Sequence, residues 1–340
     1  MFKKHALLGA ALNCALAGAA YADVFTFQTS FNAADFSTQY LTENWLPVIK
    51  ERTGGRVEIT LTANGSVVPF RETPEAIASG VIDGDWTASA YFSGQEPAFA
   101  LLGDLISAYD TPAQMRGFCE NGPGEEMLQA AVGSITNNEV HVIACGPYSR
   151  EALPARVPIR TFEDLAGKKI RAPEGLASAV FEAAGAVPMS IPFSEVFGAL
   201  EKGIADAADA SAYVNNVATG LHDVAPYPLY PGIHSMPSMQ FTMNKAKWDA
   251  LSAEDQATLR AWWYEAMAAL ETEVSKQDAE LAAKDDAGEK IEVINWAQED
   301  RDQLREVARG EWEKFAAKSD MAKTVLDAHI AYMTSIGLLK

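Results

Sequence analysis

Apolar and polar positions alternate in short blocks along much of the chain, and the period of each block predicts its backbone. Val24 to Thr29 reads as a strand. Asp35 to Thr53 repeats apolar residues at helical spacing, with Tyr40, Trp45 and Ile49 on one face, and Gly54-Gly55 ends it. Val57 to Thr62 then alternates with period two, so strand, helix and strand follow in the order of a βαβ unit and predict a largely parallel sheet. A second unit has a strand at Val140 to Ala144, a helical turn at Phe162 to Gly167, a strand at Lys169 to Ala172, and a helix from Leu176 to Ala184 ended by Gly185. From Ser252 to Asp286 the pattern changes: a Ser-Ala-Glu-Asp start leads into helix formers broken only by Thr258, Thr272 and Val274. A helix of about 30 residues would be about 45 Å long, more than one small domain, so it is expected to lie across two. Ile291 to Trp296 reads as a short strand, and Gln298 to Lys318 and Met321 to Ile336 as closing helices.

The N-terminus sets the compartment. Lys3 and Lys4 precede an apolar run from Ala6 to Ala20 that ends in Ala20-Tyr21-Ala22, the layout of a cleavable signal peptide spanning residues 1–22. The run is too short to span a bilayer, and Cys14 lacks the small preceding residue of a lipid-attachment site. Export to the periplasm is expected. Without its leader the chain carries a net charge of about −21, which disfavours nucleic acid and anionic membranes as partners. Cys119 and Cys145 would then sit in an oxidising compartment, either paired or as small buried apolar residues.

Motifs for catalysis are missing. There is no Gly-x-Ser-x-Gly elbow, phosphate loop or dinucleotide fingerprint, and His141, His222, His234 and His329 lack the spacing of a metal pair. No enzyme activity, cofactor or metal is expected. The informative stretch instead contains Glu163-Asp164-Leu165-Ala166-Gly167-Lys168-Lys169-Ile170-Arg171, Gly185-Ala186-Val187-Pro188, and Ala199-Leu200-Glu201-Lys202-Gly203-Ile204-Ala205-Asp206. These three motifs, in this order, resemble the DctP family, the solute receptors of tripartite ATP-independent periplasmic (TRAP) transporters. The resemblance extends over nearly the whole chain, through Gly54-Gly55-Arg56-Val57 and Glu75 to Gly80. Ala90 to Ala100, Tyr230 to His234 and Asn244 to Leu251 are similar to the branch that includes keto-acid receptors.

The resemblance implies an α/β, two-domain, type II periplasmic-binding-protein-like fold with a ligand cleft between the domains. Domain I would hold residues 23–148 plus about 236–275, and domain II residues 149–235 plus about 276–340. It implies a small organic acid as ligand and the membrane permease subunits as partners. A ligand sensor for a signalling protein and a periplasmic enzyme are the alternatives. Arg171 aligns with the family arginine that grips the ligand carboxylate, and a guanidinium offers the planar fork that task needs. Arg150 matches a second family position, so two cations would make the pocket locally positive. Asp209-Ala210 stands in place of the Glu-Trp pair of keto-acid receptors, which makes Asp209 a candidate ligand contact, and Ser235 stands where a further acid is expected. That leaves too few charged oxygens for a metal and enlarges the pocket beyond a pyruvate-sized ligand. Gln28, Phe31, Tyr91, Asn215 and Asn216 follow strands or sit in loops expected to face the cleft.

Overall fold

The computed structural model describes residues 23–339 apart from 174, 192 and 234. The expected signal peptide, Cys14 and His234 lie outside the described residues. Two sheets organise the rest. The first has five strands in the order β2 (Val57–Thr62), β1 (Asp23–Thr29), β3 (Gly84–Ala88), β8 (Ser238–Asn244) and β4 (Val140–Pro147). The second has three, β6 (Val187–Met189), β5 (Lys169–Arg171) and β7 (Ala207–Ala208), all parallel. The first sheet is more mixed than the βαβ pattern predicts. β1 runs parallel to β2 and β3, but β8 is antiparallel to both β3 and β4. The chain returns along β8 only after it has built the second sheet, and so it enters from the opposite end.

The helix expected over 35–53 forms in three pieces: Phe36–Tyr40, a π turn over Leu41–Trp45, and Leu46–Arg52. Pro47 explains the break. It has no N–H for the carbonyl four residues earlier, and a widened turn accommodates that loss. The segment 291–296 is extended but not a ladder strand: Ile294 makes one bridge, to Leu229. Extended backbone at a lobe edge reads in sequence like a strand.

The long helix is Ala253–Asp286, 34 residues or about 51 Å, started by Ser252, whose hydroxyl accepts from the Asp255 N–H at 3.1 Å. Its two halves serve different lobes. Leu259, Trp262, Trp263, Met267 and Leu270 are buried in the main core, with the Trp263 indole donating to the Cys145 carbonyl of β4. Farther along, Asp278 accepts from the Val214 N–H at 2.7 Å, and Asp285 from the Tyr213 hydroxyl at 2.7 Å, on the side of the second sheet. Cys119 and Cys145 are both buried and joined by a disulfide, which ties the helix Pro112–Glu120 to β4.

Candidate functional site

Parallel sheets bind ligands beyond the carboxyl ends of their strands, and both sheets here direct those ends to one region. Arg171 is the last residue of β5, and Asp209 follows directly on the neighbouring strand β7, with Arg171 in register with Ala208. From the first sheet, Phe31 lies just past β1, and Tyr91 lies in the 3-10 turn Ser89–Phe92 that follows β3. Glu151 and Ser235 sit on the two segments that cross between the sheets. There they are joined by a 3.0 Å bond from the Glu151 N–H to the Ser235 carbonyl.

Arg171 is 8% exposed. Its Nε donates to the Ile191 carbonyl at 2.9 Å and its Nη1 to the Asp209 carbonyl at 2.6 Å. Those two bonds fix the plane of the guanidinium, and Nη2 has no partner among the described residues. A Phe193 ring lies 5.9 Å away. Tyr91 packs 4.6 Å from Phe70, and its phenol, raised by burial, is drawn down again by the charge of Arg171.

Around this cation the structure gathers acids. Asp209 is 1% exposed, and neither carboxylate oxygen has a hydrogen-bond partner among the described residues. Burial, then the charges of Glu151 and Asp104, push its pKa well above the usual carboxylate range. Asp104 is pushed up to about 7, chiefly by burial, while accepting from the Ser235 hydroxyl at 2.7 Å. Glu151 is also raised by burial; it accepts from the Tyr148 hydroxyl at 3.2 Å and lies 3.4 Å from the Ser235 hydroxyl. Tyr148 in turn reaches the Ser211 hydroxyl at 3.3 Å, and Ser211 holds a left-handed φ of 33° at the turn between β7 and the helix Tyr213–Ala218.

The residues singled out in the sequence therefore separate. Arg171, Asp209, Tyr91 and Phe31 lie together, Phe31 standing edge-on to Tyr148 at 5.4 Å. Asn215 joins them, donating to the Ser211 hydroxyl at 2.9 Å and accepting from the Phe36 N–H across the gap between the lobes. Gln28 is buried, and its amide makes three bonds to Val67 and Val68, so it fastens a loop. Asn216 likewise spends its amide on the Ala210 and Ser211 carbonyls. Arg150 stands apart from Arg171. It donates to the Asp110 carbonyl, and its charged neighbours are Tyr230, Asp110, Asp278 and Glu271, toward the long helix. Among the described residues the cation set with these acids is Arg171, while Arg150 faces a different set of groups. Asp104, Glu151 and Tyr148 carried no sequence signal, because loop acids look solvated until the fold brings them together. Ser235, expected in place of an acid, instead binds two of them.

The sequence profile of bacterial extracellular solute-binding protein family 7, DctP, matches residues 27–319. The chain is 24% identical over 289 residues to the monocarboxylate 2-oxoacid-binding periplasmic protein of Nostoc sp., covering 85% of this chain and 78% of that one. A TRAP periplasmic solute-binding protein from Rhodobacter sphaeroides, solved in an apo open form, is 41% identical, with a TM-score of 0.80 over 93% of this chain and 99% of that one. A TRAP solute-binding protein from Rhodoferax ferrireducens with bound malonate has the same fold at 18% identity, with a TM-score of 0.77 over 93% and 100% of the two chains.

Proposed function

Because the chain belongs to family 7 of the bacterial extracellular solute-binding proteins, the DctP receptors of TRAP transporters, we propose that it captures a small organic acid in the periplasm and delivers it to the transporter's membrane subunits. The observation that carries this reading is Arg171: a buried guanidinium at a strand tip, held in plane by two carbonyls, with one nitrogen left for a ligand. A carboxylate oxygen can accept from that nitrogen in a charge-assisted hydrogen bond. The Nostoc relative is named for 2-oxoacids and the Rhodoferax structure holds malonate, which supports an acid here too.

Residues 1–22 would direct export and be removed. Residues 23–148 with about 236–275 would move as one lobe and the remainder as the other, closing on the ligand about the crossing segments at Glu151 and Ser235. Phe36 and Asn215, which already bond across the gap, would hold the closed form. Among the described residues no helix is long and apolar enough to cross a membrane. Delivery would then require docking on a permease.

A thermal-shift screen of the mature protein against a panel of organic acids tests the proposal. Ligand at 100 times its Kd adds about 2.7 kcal/mol of stability, a readily visible rise in Tm. At least one acid is expected to give that rise and to be recovered unchanged. Conversion of the acid to a product would count against a receptor.

A further inference from the structure

Charge balance at the site points past a simple acid. Among the described residues Arg171 is the cation that acts on Glu151 and Asp209, with Asp104 behind them, and it bonds backbone carbonyls, not the acids. The hydroxyl protons nearby are already committed: Ser235 to Asp104, and Tyr148 between Glu151 and Ser211. Asp209 receives none. Its two oxygens are buried and unpartnered among the described residues, within the field of the guanidinium that bonds its own carbonyl. A buried carboxylate with no donor costs several kcal/mol unless something positive or protic completes it. An anion alone on Arg171 would leave the two Asp209 oxygens as they are, buried and without a donor among the described residues.

We propose that the ligand is a small zwitterion, whose carboxylate meets Arg171 and whose positively charged nitrogen sits against Asp209 and Glu151. The inference rests on the carboxylate reading above and adds the second charge. The walls suit such a group. Tyr148 reaches Glu151 through its hydroxyl, Phe31 packs on Tyr148, and Tyr91 is within the field of Glu151, so aromatic rings lie near the acids, and such rings attract ammonium and quaternary nitrogen. A metal ion is a poorer occupant. Among the described residues no three acids, histidines or cysteines stand close enough together to hold one, whereas an organic cation needs only carboxylates spread around it.

The test compares shape-matched pairs that differ in the charged nitrogen: proline with cyclopentanecarboxylate, glycine betaine with 3,3-dimethylbutyrate, and 4-aminobutyrate with pentanoate. Affinities of the mature protein are measured by calorimetry at pH 7.5, with EDTA and again with calcium chloride. The nitrogen-bearing member of at least one pair is expected to bind on the order of 10- to 100-fold more tightly, with or without calcium. In Asp209→Asn that ratio should collapse toward one. Glu151→Gln should narrow it too, which keeps the test sound if one variant folds poorly. Equal affinities within every pair, or binding that appears only with calcium, would overturn the proposal while leaving the carboxylate reading intact. Prolinamide separates the two ideas: if it binds as tightly as proline, the carboxylate reading fails and the acidic subsite stands.

Discussion

Single residues here do two different jobs with the same chemistry, and burial alone does not tell them apart. Asp85 and Asp209 are both buried acids on or next to strands. Asp85 is satisfied. It accepts from the Thr242 hydroxyl at 2.6 Å, the Thr73 hydroxyl at 2.7 Å and the Gln240 amide at 3.2 Å, yet burial still raises it to about 6. Asp209 has no such donors among the described residues, and on the proposed function that difference separates a ligand-binding group from a structural one. Asp85→Ala strands three buried donors and should cost about 2–4 kcal/mol, read as a lower urea midpoint with ligand affinity unchanged. Of the acids gathered at the site the sequence pointed to Asp209 but not to Asp104 or Glu151. Arg171 was legible, because a motif frames it. Glu151 sits beside Arg150 in sequence, and only the backbone decides which of the two side chains turns toward Arg171.

Among the elements, those with a clear period or cap were legible: β1, β2, β5 and the long helix behind Ser252 lie within a residue or two of their expected bounds. β3 and β8 were not. Every residue in both is buried, so neither alternates, and a fully buried strand such as Gly84–Ala88 has no period-two signal. The two cysteines show a related limit. Spacing left pairing open, and the fold closes it by laying the helix Pro112–Glu120 on β4 with the Cα atoms 5.6 Å apart. Closing a loop of that length restricts the unfolded chain by roughly 3 kcal/mol. Reduction, or a double Cys119→Ser/Cys145→Ser variant, should lower Tm without altering ligand affinity, since the bond lies behind the sheet. A weakened affinity would place this element in the binding machinery.

At the scale of the whole molecule, the buried acids make stability depend on pH. Asp104 and Asp278 are raised to about 7, both chiefly by burial. Between the unfolded carboxylate value of about 4 and pH 7 the native state keeps protons that the unfolded chain has lost, so stability falls as pH rises through that window. His141, lowered to about 4, His329, lowered to about 3, and His222, also lowered by burial, act oppositely, but their effect fades as pH rises past about 6.5 and the unfolded imidazoles lose their charge. From pH 6.5 to 8 the acids therefore decide the slope. The ligand-free protein should lose stability over that range, with Asp278 alone contributing roughly 1 kcal/mol. Chemical denaturation at the two pH values checks this, and Asp278→Asn should flatten the slope; a midpoint that rises with pH would contradict it.

On the proposed function, recognition by two lobes depends on one anchored cation, and calorimetric titration of wild type, Arg171→Lys and Arg171→Ala with the acid found by screening tests that most directly. The lysine keeps the charge but loses the planar fork, so affinity should drop moderately, and alanine should cost about 100-fold or more. Unchanged affinity in the alanine variant, with its fold intact by circular dichroism, would contradict the account.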